Sequence, residues 1–137
     1  MSALLRHALL RHQVGSLAAT AVDFLVMIAC VSAFGLAPGA GTAVGAASGG
    51  VTNFILGRRW IFRALEGRAS SQALRYALVS AASLLLNAVG EHVLVTTTHL
   101  QFVVARVIVS LLVSVLWNFP MQRSFVFRTS ALARVTS

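Results

Sequence analysis

The chain contains no lysine; all 11 of its basic residues are arginine. Acids are scarcer still, three against those 11, which leaves a formal net charge of +8. Charged residues amount to 10%, far below the quarter usual for a soluble domain. A single cysteine, Cys30, excludes an internal disulfide and says nothing of redox compartment. What is abundant is apolar: 58% of residues, with a mean hydropathy of +0.85. That is the composition of a membrane protein. Basic charge of this size often marks nucleic-acid binding, but beside so much apolar bulk the arginines read as partners of lipid headgroups. At about 20 residues per spanning helix, the length holds four or five spans and no soluble domain.

The chain is organised around a duplicated stretch. Asn53–Phe54–Ile55–Leu56–Gly57–Arg58–Arg59–Trp60–Ile61–Phe62–Arg63 returns as Asn118–Phe119–Pro120–Met121–Gln122–Arg123–Ser124–Phe125–Val126–Phe127–Arg128, at an offset of 65 throughout. An apolar helix ending in arginines and aromatics suits a membrane–water boundary, where rings and cations sit at headgroup level. The sequence therefore predicts two copies of one unit, about 11–63 and about 76–128, in a single membrane domain, with 129–137 as a cytoplasmic tail.

In order along the chain, Met1–Gln13 reads as a short interfacial lead-in. The run from Val14 to about Leu36 is too long for a signal-peptide core and becomes the first span. Pro38 marks a turn. The second span, about Gly39–Leu56, carries Gly41, Gly45 and Gly49 four apart, a small-residue face suited to close helix contact with another span or another subunit. Arg58–Gln72 is the polar central loop. The third span covers about Ala73–Val95, Thr96–His99 makes the next turn, and the fourth span covers about Phe102–Met121. The two short turns carry no arginine, whereas the N-terminus, central loop and C-terminal end do. The positive-inside rule then places both termini and the central loop in the cytoplasm. Two-span units enter the membrane in the same direction, so the expected fold is all-α, four transmembrane helices as two parallel two-helix repeats.

Inside the spans the polar groups are few. Asp23, Glu91 and Arg106 are charged, and a charge at bilayer depth costs on the order of 3 kcal/mol, so it is normally paired and functional. Glu91 and Arg106 flank the second turn at equal remove and are expected to pair, structurally or around a substrate. Asp23 has no basic residue at its own depth in its hairpin. It is expected to be protonated against Thr20 or Ser48, or paired with Arg106 or across subunits. Asn53, Asn87 and Asn118 serve as helix–helix contacts first and site residues second. His92 points about 100° away from Glu91 on a helix and forms no metal site with it. No spacing suggests a metal, a cofactor or a catalytic nucleophile.

Four spans, an acid in the first, the Asn-Phe-x-x-x-Arg-x-Trp/Phe-x-Phe motif ending the second and fourth, and a basic residue early in the fourth resemble the GtrA-like family. The resemblance covers about residues 11–128. It implies a bacterial cytoplasmic-membrane protein that is not an enzyme and that moves polyprenyl-phosphate-linked sugars to the outer leaflet for cell-surface polysaccharide. By motif position it marks Asp23, Asn53, Arg58, Arg106, Asn118 and Arg123; Asn87 and Glu91 join them as substrate-binding candidates. Pro120 and Gln122 depart from the family pattern and predict a kinked, less basic second boundary. Expected partners are the lipid-linked sugar, membrane lipids, further copies in a parallel homodimer or larger oligomer, and a membrane glycosyltransferase; nucleic acid is not among them. A small ion-coupled exporter resembling the small multidrug resistance proteins, and a non-transporting anchor for a glycosyltransferase, are the alternatives.

Overall fold

A computed structural model describes residues 2–128 as an all-α chain of four helices. Three are long and apolar enough to cross a membrane: Ala3–Ser32 (α1), Ala69–Thr98 (α3) and Phe102–Val126 (α4). The other, Pro38–Leu56 (α2), has spanning length at 19 residues, but its glycines dilute its hydropathy. Little of the apolar surface is covered: 11% of the most apolar window of α1 and of α3, and 17% of that of α4. Leucines such as Leu17, Leu84 and Leu116 stand bare. So much exposed hydrocarbon belongs in lipid. This is a multi-pass membrane protein. The predicted tail, 129–137, lies outside the described residues.

The chain divides into two compact units, the first ending at Leu65 and the second beginning at Glu66. In the first, α1 packs along α2 over the glycine stripe. A Cβ on Gly41 would fall 2.5 Å from Val31 Cγ2, one on Gly45 2.6 Å from the Asp23 carbonyl oxygen, and one on Gly49 2.9 Å from the Ala19 carbonyl oxygen. Glycines spaced by four thus receive Ala19, Asp23 and Val31 of α1, and the two backbones close on each other. The partner of the glycine face is α1 of the same chain. Of the two partners the sequence left open, another span or another subunit, the stripe takes the span.

Element limits also differ from expectation, for packing reasons. The N-terminal lead-in is part of α1, which is capped by the Ser2 hydroxyl accepting from Leu5 N–H at 3.3 Å. His12 is fully buried against the Phe62 ring, centroids 6.4 Å apart, and Gly15 makes room for Ile61. Contact with the end of the first motif therefore holds the lead-in helical. α1 stops at Ser32 rather than Leu36, since Gly35 turns at φ +67 and Leu36 N–H donates to the Cys30 carbonyl at 3.0 Å.

In the second unit α3 starts at Ala69, not Ala73, with Gln72 buried in its first turns. It continues through Thr96, Thr97 and Thr98, whose hydroxyls donate to carbonyls one turn back, and ends at a left-handed His99 (φ 56). Gly90 lets α4 approach; a Cβ there would lie 2.8 Å from Val109 Cγ1. α4 runs beyond Met121 and is not uniform. Phe102–Val113 is α-helical, Ser114–Asn118 is π-helical, Phe119–Met121 makes an α turn, and Gln122–Val126 is again π-helical. Pro120 explains the first widening. It offers no N–H to the carbonyl one turn earlier and its ring crowds that carbonyl, and a π turn just before it relieves both.

Candidate functional site

The two boundary motifs close in the same way. α2 runs into a π turn, Gly57–Ile61, with Phe62 N–H donating to the Gly57 carbonyl at 2.9 Å; the second copy does so at Gln122–Val126, with Phe127 N–H on the Gln122 carbonyl at 2.9 Å. Ile61, Phe62, Val126 and Phe127 are all buried, while Trp60 and Phe125 are each 39% exposed. Only one ring of each aromatic pair is thus free to sit at the headgroups. The other is core, which corrects the expectation that both are interfacial. Arg58 and Arg123 are half-buried on these turns, and Arg58 Nη2 donates to the Leu65 carbonyl at 3.4 Å.

In the second unit Arg75, in the second turn of α3, braces the boundary motif. Arg75 Nη1 donates to the Phe125 carbonyl at 3.2 Å, and its guanidinium lies 5.6 Å from the Phe125 ring centroid. One hydrogen bond and one cation–π contact together are worth about 1–2 kcal/mol. Arg75→Ala is expected to lower the thermal unfolding midpoint in detergent accordingly, and Arg75→Lys to recover only part of it. An unchanged midpoint in Arg75→Ala would remove the brace.

The intramembrane groups are placed as follows. Asp23 is half-buried on the α1 face that receives Gly45 and Gly49. Neither expected hydroxyl serves it: Thr20 donates to the Ser16 carbonyl at 2.9 Å and Ser48 to the Val44 carbonyl at 2.8 Å. Gly15 and Ala19 of α1 are buried as Val79 and Ser83 of α3 are, 64 residues on, and by that offset Asp23 corresponds to Asn87. Asn87 Nδ2 donates to the Ser83 carbonyl at 2.8 Å, and its Oδ1 is buried with no donor among the described residues. Asn53 and Asn118 are half-buried at equivalent places near the ends of α2 and α4. Trp117, which sequence reasoning passed over, donates its indole N–H to the Val79 carbonyl at 3.2 Å and ties the π segment to α3.

The expected Glu91–Arg106 ion pair is not formed. The Gly90–Val109 contact sets the register of α3 against α4, so the two residues differ in height by only about 3 Å at 1.5 Å per residue. Their directions fail instead. Ala105 and Val109 fill the face of α4 turned to α3, and Arg106, next round the helix, is exposed, while Glu91 is half-buried. Arg106 and Glu91 are thus a separate cation and acid within their unit. Among the described residues no group of three or more His, Cys, Asp or Glu is placed to hold a metal.

An all-α, multi-pass architecture with aromatic-arginine boundaries and isolated charges in its spans defines a polytopic membrane protein built around polar intramembrane groups. The family model for the GtrA/DPMS transmembrane domain matches residues 13–127, and the chain belongs to that family. The family is linked to polysaccharide and glycosylation-related processes. No curated protein matches the chain, and no solved structure does.

Proposed function

We propose that this protein flips a polyprenyl-phosphate-linked sugar from the cytoplasmic to the outer leaflet of a bacterial cytoplasmic membrane, for cell-surface polysaccharide. The observation that carries this reading is Arg106, always charged and exposed on a spanning helix with no acid of its unit bound to it. Such a cation is expensive at bilayer depth and is kept where an anion passes. Arg58 and Arg123, on the boundary turns, meet the lipid phosphate by charge-assisted hydrogen bonds. Asn53, Asn87 and Asn118 offer amides to sugar hydroxyls, and Asp23 and Glu91 supply acceptors along the spans. A cationic cargo, as in small multidrug exporters, would be repelled by Arg106.

The arrangement that goes with it is two parallel two-helix repeats, about 11–63 and 76–128, with both termini and the central segment cytoplasmic. The matching π turns of the two motifs support the repeats, and the arginine-free turns support the orientation. The protein works with further copies of itself and beside a membrane glycosyltransferase, and carries out no covalent chemistry. Reporters fused at either end or inserted in 64–68 should read cytoplasmic, and one at His99 external; an external central segment would overturn the orientation. Reconstituted vesicles should deliver an inner-leaflet-labelled polyprenyl-phosphate sugar to an outside probe faster than protein-free vesicles. Equal rates would overturn the flipping reading.

A further inference from the structure

The offset that relates the two motifs also carries the glycine stripe of α2 onto α4. Gly41, Gly45, Gly49, Asn53, Gly57 and Ile61 become Arg106, Ser110, Ser114, Asn118, Gln122 and Val126. In the first unit the buried positions keep this four-residue step, at 41, 45, 49, 57 and 61. In the second unit the motif end is buried alike, at Gln122 and Val126, but the other half is buried at Ala105 and Val109. The register has slipped by one residue. The slip falls at the π segment Ser114–Asn118, whose wider turn takes up one extra residue ahead of Pro120. One residue of α-helix is about 100° of rotation, so Arg106 and Ser110 are turned off the α3 face and stand exposed.

The exposed neighbours one turn away, Phe102, Val103 and Val107, are apolar. A guanidinium and a hydroxyl one turn apart, unpartnered within their unit, present donors for an anion's oxygens. We infer that Arg106 and Ser110 form the phosphate-binding face of α4 for the polyprenyl-phosphate lipid, turned out of the helix pair by the π segment. This rests on the proposed translocation and adds to it a residue, Ser110, and a device. Where the first unit has Gly41 and Gly45 sealing α2 on α1, the second carries Arg106 and Ser110 at the equivalent places and turns them outward.

Cysteine labelling tests this without requiring transport. On a Cys30→Ser background, Ser110→Cys, Val109→Cys and Leu111→Cys are reconstituted and treated with a water-soluble thiol reagent, which reacts only with a hydrated thiolate. Ser110→Cys should label severalfold faster than the other two. A polyprenyl phosphate in the vesicles should slow it, and inorganic phosphate should not. Pro120→Ile, which restores the residue type of Ile55 at the equivalent place, should suppress labelling at Ser110→Cys by returning the helix to α register. Equal or absent labelling at Ser110→Cys, labelling that no phosphate slows, or disulfide-linked dimers through Ser110→Cys would each overturn the inference. Protection by inorganic phosphate alone would overturn the lipid as ligand. Labelling protected by the polyprenyl phosphate in vesicles that show no leaflet exchange would leave the site standing and remove the flipping reading.

Discussion

Gly45→Leu is expected to strip the membrane of most folded protein. The glycine lies where the α1 backbone crosses α2, and even a methyl there would meet the Asp23 carbonyl oxygen at 2.6 Å and its Oδ1 at 2.7 Å. The nearest obstacle is backbone, which cannot rotate aside as a flexible side chain would. Overpacking a tight interior costs about 1–3 kcal/mol, and a four-carbon side chain against a carbonyl belongs at or beyond the top of that range. Marginal stabilities of about 5–15 kcal/mol make that a large fraction. Gly50, on the same helix with open space around it, is the control: Gly50→Leu should be tolerated. Thermal unfolding and fluorescence-detected size exclusion would report both. If Gly45→Leu stays folded and loses only an oligomer, the stripe is an intermolecular surface and the α1–α2 contact is not what holds the first unit.

Arg106→Ala is expected to slow leaflet exchange by one to two orders of magnitude while leaving the fold intact. An arginine paired with Glu91 would confound this test, because removing one partner strands the other. Here the two are not bonded, so loss of Arg106 leaves no newly unpaired partner. A hydrogen bond from a charged donor contributes about 1.5–3 kcal/mol. If that contribution belongs to the moving substrate, exchange should fall roughly ten- to hundredfold. The swap Glu91→Arg with Arg106→Glu adds a second readout. A structural pair would recover exchange in the swap, whereas a substrate cation carried by α4 would not. Full exchange by folded Arg106→Ala would contradict the role.

Much of this fold was legible because membrane physics writes it plainly. Apolar runs broken at Pro38 and His99, and the motif repeated at Asn53 and Asn118, gave the helix count. The arginine distribution and the intramembrane positions of Asp23, Glu91 and Arg106 needed only hydropathy. What could not be read was which way side chains point. The Glu91–Arg106 expectation was right in height and wrong in angle, because height depends on residue count while angle depends on the turn size of α4. Pro120 was the visible signal for that change: it was read as a kink, and a π turn stands just ahead of it. His12 and Gln72 looked like boundary or loop residues, and only tertiary contact shows them inside. Gly41, Gly45 and Gly49 announced a close contact without naming its partner, since two helices of one chain and two subunits ask for the same small residues.

Carriage of a polyprenyl-phosphate-linked sugar across the bilayer through polar groups in the spans is tested by leaflet exchange of a fluorescent polyprenyl-phosphate sugar in vesicles holding the purified protein, followed by an impermeant quencher. The protein should let the quencher reach nearly all of the label, where protein-free vesicles protect the inner half, and Arg106→Ala should slow that access roughly ten- to hundredfold. A wild-type signal that plateaus with the inner half protected, in vesicles shown to contain folded protein, would contradict it.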